Sequence, residues 1–127
     1  MPRTLLVTDD ASIIREMIKE TVTDAGWLIV GEAADGRNAV EQYAALRPDA
    51  VTLDLVMPEY DGLFALRGIA ALDPAAKVLV VSALDQKAVL REAFKAGAGD
   101  FLVKPFDRRL LVEALEHLVP AAAPGSH

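Results

Sequence analysis

The sequence predicts an α/β protein with a parallel β-sheet that is covered by helices on both faces. Three observations lead to this prediction: short, nearly solid apolar runs, longer stretches with helical spacing, and a strict alternation of the two kinds. The alternation produces a βα unit repeated five times. Right-handed crossovers between parallel strands place helices on both sides of the sheet, and such a sheet is apolar on both faces.

The predicted strands are too short for helices and too continuous for strands with one exposed face. We therefore expect each of them to be buried on both faces. They cover residues 5–7, 27–30, 50–53, 78–81 and 101–103.

The predicted helices show apolar residues at intervals of three and four. Stop signals support their ends, because Gly26, Pro48 and Gly97 each follow a helical stretch, while Asp85 and Asp107 are predicted N-caps. The helical stretches cover residues 14–25, 39–46, 63–72, 88–96 and 110–118.

Length and composition exclude several classes of protein. The chain has 127 residues, of which 53% are hydrophobic and 25% charged, so it has enough apolar material for one folded domain and is not a disordered protein. It contains no cysteine, which excludes disulfides, thiolate metal sites and cysteine nucleophiles. The formal net charge of −6 argues against direct nucleic-acid binding. Neither a membrane span nor a signal pattern is found, so a cytoplasmic protein is predicted.

The last eight residues differ in composition from the rest of the chain. Residues 120–127 are rich in Ala and Pro, and we expect them to form a disordered tail after a single domain of residues 1–119. The final Gly-Ser-His is typical of residues appended for expression. Whether the natural reading frame continues beyond Ala123 is left open.

Polar residues stand where four of the predicted strands end. Asp9 and Asp10 follow the first strand, Asp54 the third, Ser82 the fourth and Lys104 the fifth. The carboxyl ends of parallel strands meet at one edge of the sheet, which is where open α/β sheets bind their ligands. The sequence therefore predicts that these five side chains converge.

The chemistry of this set points to a metal ion and a phosphoryl group. Three neighbouring carboxylates repel one another unless a cation lies among them. Oxygen ligands without His or Cys suit Mg²⁺ or Mn²⁺. An ammonium and a hydroxyl beside such an ion could bind phosphoryl oxygens, and a carboxylate can itself be the nucleophile.

Each of these residues alone also has an ordinary structural interpretation. Asp9 and Asp10 could cap the first helix, Ser82 could be a turn residue, and Lys104 could be a solvated charge. Their coincidence at four strand ends favours the functional interpretation. By contrast, His117 and His127 have no partners at metal-ligand spacing, and Trp27 is interpreted as a core residue; these three residues are assigned no function.

The motifs together resemble the receiver domain of two-component response regulators, and the likeness spans residues 3–119. It implies a flavodoxin-like (βα)5 doubly wound parallel sheet with strand order 2-1-3-4-5. The matching segments are LLVTDD at 5–10, PDAVTLDLVMP at 48–58, DG at 61–62, VVSA at 80–83, GAGDFL at 97–102 and KPF at 104–106.

By this resemblance, Asp54 looks like the phosphoacceptor. Asp9 and Asp10 look like the acidic pair at a Mg²⁺ site, with Mn²⁺ as an alternative ion. The resemblance implies direct metal ligation by Asp10, by Asp54 and by the backbone carbonyl of Val56.

The same resemblance implies roles for residues on the last two strands. Ser82 corresponds to the switch hydroxyl and lies beside Ala83 in the phosphoryl-binding segment. Lys104 corresponds to the family's lysine, and its peptide bond to Pro105 would be cis. Phe101 stands where the family keeps its switch aromatic, although it lacks the hydroxyl of the frequent tyrosine.

The implied function is a phosphorylation-operated signalling switch. A histidine kinase or a histidine phosphotransfer protein would be the donor, and the chain would catalyse only its own phosphorylation and dephosphorylation. The implied output is a protein partner or a homodimer on the face of the fourth helix, fifth strand and fifth helix, with neither nucleic acid nor membrane involved. The exposed charges predicted there are mixed in sign: Lys87, Arg91, Lys95, Arg108, Arg109, Glu113 and Glu116.

Two other classes of function fit the sequence less well. A phosphatase that works through an aspartyl-phosphate would need an acid two residues after the nucleophile, where this chain has Val56. A flavin or phosphate-loop protein would need a Gly- or Ser/Thr-rich loop after the first strand, but Asp9-Asp10-Ala11-Ser12 at that place contains no glycine. A binding module that has lost its chemistry would not need the site residues. By the resemblance, Val56 and Leu84 stand at positions that tune the lifetime of the phosphoryl group in the family. Both are apolar here and cannot orient a hydrolytic water through a side chain, so a long-lived phosphoryl group is expected.

Overall fold

The computed structural model describes residues 2–59 and 61–121 of the chain. Within them, five strands alternate with five helices. Most of the predicted disordered tail, residues 122–127, lies outside the described residues. None of the helices formed by the described residues is long and apolar enough to cross a membrane. The elements are β1 (Thr4–Thr8), α1 (Ser12–Asp24), β2 (Leu28–Ala33), α2 (Gly36–Leu46), β3 (Ala50–Leu53), α3 (Gly62–Leu72), β4 (Val78–Ser82), α4 (Lys87–Ala96), β5 (Asp100–Val103) and α5 (Arg108–Leu118).

The strands form one parallel sheet in the order β2-β1-β3-β4-β5, as expected. Thr8 of β1 pairs with Leu53 of β3, and Ser82 of β4 pairs with Val103 of β5. The last residues of these neighbouring strands therefore lie at the same edge of the sheet. The loops that follow them start from one line across the molecule.

The core consists of two apolar layers, one on each face of the sheet. Alternate residues of β1 show the division, because Leu6 packs on the face covered by α2, α3 and α4, whereas Leu5 and Val7 pack on the face covered by α1 and α5. Leu66 and Leu111 are fully buried examples from the two helical layers. A sheet covered on both faces needs the continuous apolar runs that the sequence contains.

The prediction that every strand is buried on both faces is wrong for β2 and β5. In β2 only Ala33 is buried, and Leu28 is 51% exposed. In β5 no residue is fully buried, and Val103 is 39% exposed. These two strands form the edges of the sheet, where each lacks a neighbour on one side and is covered less completely by the helices.

The helix ends confirm most of the predicted signals. Asp107 caps α5 by accepting a hydrogen bond from the Arg109 amide, and Gly97 ends α4 at φ 119°, a left-handed conformation that favours glycine. The predicted N-cap at Asp85 is wrong, because α4 begins at Lys87 after Gln86, whose side chain makes no capping bond.

The amino edge of the sheet is tied to the last helix by Arg3. Its guanidinium donates two hydrogen bonds to the Glu116 carboxylate, at 2.7 and 2.9 Å, and one to the Val119 carbonyl at 2.8 Å. It also stacks over Trp27, 4.6 Å from the ring centroid. Trp27 is buried as predicted. Glu116, predicted as an exposed charge of the output face, is instead half-buried in this ion pair.

Two helices on one side of the sheet are joined by a buried phenol. The hydroxyl of Tyr43, in α2, donates a 2.8 Å hydrogen bond to the carboxylate of Asp73, the C-cap of α3. Burial, together with this bond and the charge of Asp73, raises the pKa of Tyr43 to about 12. The folded state therefore favours the protonated phenol.

We expect Tyr43→Phe to change how stability depends on alkaline pH. Since the folded pKa exceeds the value of about 10 for an unfolded tyrosine, the protonated phenol stabilises the fold fully below pH ~10. That stabilisation is lost as the pH rises through about 12. Urea unfolding at about pH 9 and about pH 11.5 should show a loss of free energy that is greater by about 2 kcal/mol in the wild type. Equal losses in the two proteins would contradict the assignment.

Candidate functional site

Three carboxylates meet at the carboxyl edge of the sheet, as the sequence predicts. Asp9 and Asp10 follow β1, and Asp54 follows β3. One carboxylate oxygen from each lies within 4.8 Å of the others. Asp9 is 1% exposed and Asp54 is 5% exposed, whereas Asp10 faces solvent. Asp10 therefore forms the open side of the cluster.

Lys104 joins this cluster from the end of β5. Its Nζ lies 2.6 Å from Oδ2 of Asp9 and 3.2 Å from Oδ2 of Asp54. The Lys104 amide donates to the Ser82 carbonyl at 2.9 Å, and the peptide bond between Lys104 and Pro105 is cis. The lysine thus bridges two acids that are far from it in sequence.

Burial and ion pairing shift the pKa values of Asp9 and Lys104 in opposite directions. Burial raises the pKa of Asp9 above its ordinary value, and the Lys104 hydrogen bond only partly offsets this effect. For Lys104, burial lowers the pKa, but the Asp9 hydrogen bond and the charges of both acids outweigh it, so the pKa is raised overall. The lysine is therefore held as a cation. One ammonium against three carboxylates leaves a formal charge of −2.

The residues at this edge fit a hard divalent cation. All three side chains of the cluster offer carboxylate oxygens, with neither His nor Cys among them. Such a donor set suits Mg²⁺ or Mn²⁺. It is also the only grouping of His, Asp and Glu that could hold a metal within the described part of the chain.

The backbone around Asp54 is held by its neighbours. The Asp54 amide donates to the Thr8 carbonyl, and the Val56 amide donates to Oδ1 of Asp54, both at 3.1 Å. At the start of α3, Gly62 passes so close that a Cβ there would lie 2.2 Å from the Asp54 carbonyl oxygen and 2.5 Å from the Leu55 Cα. Only glycine allows this approach without moving the loop that carries Asp54.

The structure does not join the remaining predicted residues to the acids. Ser82 is fully buried, and its hydroxyl oxygen accepts a 3.4 Å hydrogen bond from the Leu84 amide. Ala83 is exposed beside it. Phe101 is half-buried against the core layer under α2, α3 and α4. Among the described residues, no hydrogen bond links the Ser82 hydroxyl to Asp54.

Sequence reasoning missed one side chain that reaches the site. Arg15, on α1, donates from Nη1 to the backbone carbonyl of Asp9 at 2.7 Å. Asp9 and Asp10 do not cap α1, whose N-cap is Ala11; the Asp9 carboxylate instead accepts the Ala11 amide at 2.9 Å. A contact to a backbone carbonyl leaves no characteristic residue pair in the sequence.

The sheet order and the site together define a doubly wound α/β protein of the receiver class. The family model described as the response regulator receiver domain matches residues 5–116, and the chain belongs to this family. The protein is accordingly a phosphorylation-regulated switch of two-component signalling.

The chain is similar to chemotaxis proteins in particular. It is 50% identical over 115 residues to the chemotaxis protein CheY of Thermotoga maritima, and the aligned region covers 91% of this chain and 96% of that protein. The CheY of Listeria monocytogenes is 50% identical over 112 residues, covering 88% and 94% of the two chains. The solved CheX-CheY-BeF₃-Mg²⁺ complex of Borrelia burgdorferi matches with a TM-score of 0.91 and 32% identity, over 95% of this chain and 92% of that one.

Replacing Gly62 by alanine should damage both stability and the site. The added methyl would meet backbone atoms of Asp54 and Leu55, which no side-chain rotation can relieve. We expect the free energy of unfolding to fall by about 2 kcal/mol and Mg²⁺ affinity to fall with it. Gly68→Ala is the matched control in the same helix, because the three atoms nearest to its added methyl all belong to the Val40 side chain and none is a backbone atom. Urea unfolding and calorimetry test both effects, and equal losses in the two variants would contradict this account.

Proposed function

We propose that Asp54 accepts a phosphoryl group from a phosphohistidine of a histidine kinase or a histidine phosphotransfer protein. The observation that carries the proposal is the position of Asp54. Its carboxylate is nearly buried at the end of the central strand β3, lies 3.2 Å from the Lys104 ammonium and is within 4.8 Å of oxygens of Asp9 and Asp10. A buried acid beside a fixed cation and a second acidic pair is costly unless it serves chemistry.

Mg²⁺, with Mn²⁺ as the alternative, is the cofactor that we propose for this cluster. Asp10 and Asp54 would hold it directly together with the backbone carbonyl of Val56, and Asp9 would lie beside them. When bound, the ion supplies positive charge for the phosphoryl oxygens. The Borrelia burgdorferi complex, whose chain is similar to this one, contains CheY with BeF₃ and Mg²⁺.

The chain's own residues account for the transfer. A carboxylate oxygen of Asp54 forms a bond to phosphorus while the phosphorus–nitrogen bond of the donor breaks, and the imidazole leaves with the electron pair. Asp54 is oriented by the Val56 amide on Oδ1 and by Lys104 on Oδ2. The Lys104 ammonium, now shared with Asp9, neutralises charge on the phosphoryl oxygens.

The switch follows from the same positions. In the part of the chain that the structure describes, the one hydrogen bond of the Ser82 hydroxyl is the long one that its oxygen accepts from the Leu84 amide, so its proton is available to a phosphoryl oxygen on Asp54. Movement of Ser82, beside Ala83, would free space for Phe101, which is half-buried and pairs in the sheet with Val80, two residues before Ser82. The change would thus be passed to β5 and α4.

The output surface that we propose is the face of α4, β5 and α5. It carries exposed apolar side chains at Phe94, Val103 and Leu110 among charges of both signs. Such a surface suits a protein partner or a second copy of this chain rather than nucleic acid or a membrane.

The apolar Val56 and Leu84 flank the site, so we also propose that the phosphoryl group is long-lived. We propose further that the chain has no activity beyond its own phosphorylation and dephosphorylation, and that it acts in the cytoplasm.

Asp54→Asn should abolish phosphorylation. Incubation of the wild type with Mg²⁺ and acetyl phosphate should add one phosphoryl group that is stable in acid and labile in alkali. The amide is a poor nucleophile, so the variant should remain unlabelled by intact-mass spectrometry. Asp100→Asn, at the amino end of β5, is the control and should label normally. Labelling of Asp54→Asn at the wild-type level would refute the assignment.

Phe101→Ala should separate the switch from the chemistry. The Phe101 amide donates to Asp100 and makes no hydrogen bond to Asp9, Asp54 or Lys104, so the variant should be phosphorylated at close to the wild-type rate. In the wild type, beryllofluoride should shift backbone amide signals across residues 88–111 more than across residues 15–26. The variant should show a weaker shift across 88–111. Wild-type shifts confined to the loops around Asp10, Asp54 and Lys104 would overturn the proposed route.

A further inference from the structure

Arg15 is the one cation on α1 that reaches the acidic loop through the backbone. Its Nη1 donates to the Asp9 carbonyl at 2.7 Å, and its Nε donates to Oε1 of Glu32 at 3.1 Å. The side chain is 19% exposed. One planar guanidinium therefore connects the loop after β1 to the neighbouring strand β2.

The carbonyl that Arg15 binds belongs to the peptide between the two acids. The other polar atoms of Asp9 are already in use: its amide donates to the Ala33 carbonyl, Oδ1 accepts the Ala11 amide, and Oδ2 accepts Lys104. Asp10 is different, because it is exposed and its side chain makes no hydrogen bond to any described residue. The direction of its carboxylate therefore depends on the orientation of the peptide that precedes it.

Glu32 holds the guanidinium in place. It lies in β2 opposite Val7 of β1, so the sheet sets its distance from the loop. Its second oxygen, Oε2, accepts the Lys19 ammonium at 2.8 Å, and its carbonyl accepts the Gln42 side chain. With Glu32 tied on both sides, Arg15 keeps one orientation toward Asp9.

We propose that Arg15 is a positioning residue for the cation site: by holding the Asp9–Asp10 peptide plane, it aims the Asp10 carboxylate at the ion. The inference rests on the proposed function and adds to it a residue outside the strand ends. Groups that orient metal ligands in this way typically change metal affinity by tenfold or more when they are removed.

Whether Mg²⁺ binds more weakly or more tightly in a variant distinguishes a positioning role of Arg15 from a purely electrostatic one. Arg15 and Lys19 both contact Glu32, and each contributes one positive charge. Removing a cation near a Mg²⁺ site relieves repulsion, so charge alone predicts tighter binding in Arg15→Met and in Lys19→Met. Positioning predicts weaker binding in Arg15→Met only, because Lys19 does not touch the Asp9 carbonyl.

The experiment is calorimetric titration of Mg²⁺ into the full chain, without phosphodonor. Arg15→Met should bind about tenfold more weakly than the wild type, whereas Lys19→Met should bind equally or slightly more tightly. Arg15→Lys keeps the charge and one donor but not the fork, so it should fall between them. In the metal-free proteins, the Asp10 amide signal should move in Arg15→Met and stay in place in Lys19→Met.

Asp10→Asn distinguishes the possible failures. If the wild type binds Mg²⁺, Asp10→Asn does not, and Arg15→Met matches the wild type or binds more tightly, the role of Arg15 is overturned while the proposed site stands. If Asp10→Asn binds as well as the wild type, the proposed site itself fails, and the Arg15 inference fails with it. If Arg15→Met does not fold, the Mg²⁺ affinity of Arg15→Lys becomes the test. A wild-type affinity in Arg15→Lys would show that the two-pronged guanidinium is not needed and would overturn the proposed role.

Discussion

Two nearly buried carboxylates share one lysine at the edge of the sheet, and most of the local architecture follows from keeping them there. An unpaired carboxylate in this position would be strongly disfavoured, because charge is poorly solvated away from water. Lys104 contacts both Asp9 and Asp54, and it can do so only because β1, β3 and β5 end at the same edge. The parallel order of the strands is thus a precondition for the ion pairing, and the ion pairing stabilises the loops that the order brings together.

Lys104 neutralises only part of the negative charge of the three acids, and the charge that remains suits the binding of a cation. A lysine can balance one acid, and here it faces two, with Asp10 as a third at the solvent side. If stability alone mattered, a neutral residue at one of these positions would relieve the repulsion. The retained negative charge instead suits the divalent ion that we propose for this cluster. Local rules of stability are commonly broken where a protein binds or reacts.

The sequence predicted the order of elements because each strand and helix has its own apolar period. It also predicted the convergence of Asp9, Asp54 and Lys104, since residues at the ends of parallel strands share one edge. What it could not predict depends on neighbours. The exposure of Leu28 in β2 follows from the edge position of that strand, which the apolar run itself does not encode.

The same reasoning explains the other errors at single residues. Asp85 has the right side chain for an N-cap, but α4 starts two residues later, and helix boundaries depend on local backbone geometry. Glu116 has the periodicity of a surface residue and is nevertheless held by Arg3, which lies 113 positions away in sequence. Arg15 acts on a backbone carbonyl, which every residue possesses, so no residue type marks its target.

Helices α4 and α5 differ in how firmly they are held against the rest of the fold, and this difference affects which of them can move in response to a change at the site. The last turn of α5 is fastened by Arg3 to β1 and Trp27, and α5 buries Leu111 and Leu115. In contrast, α4 buries only Ala93 of its ten residues. Segments with few buried contacts open or shift at lower free-energy cost than well-buried ones. Of these two helices, α4 is therefore the one that a charge change at Asp54 would displace at the lower free-energy cost, and it contributes Ala93 to the core layer against which Phe101 packs.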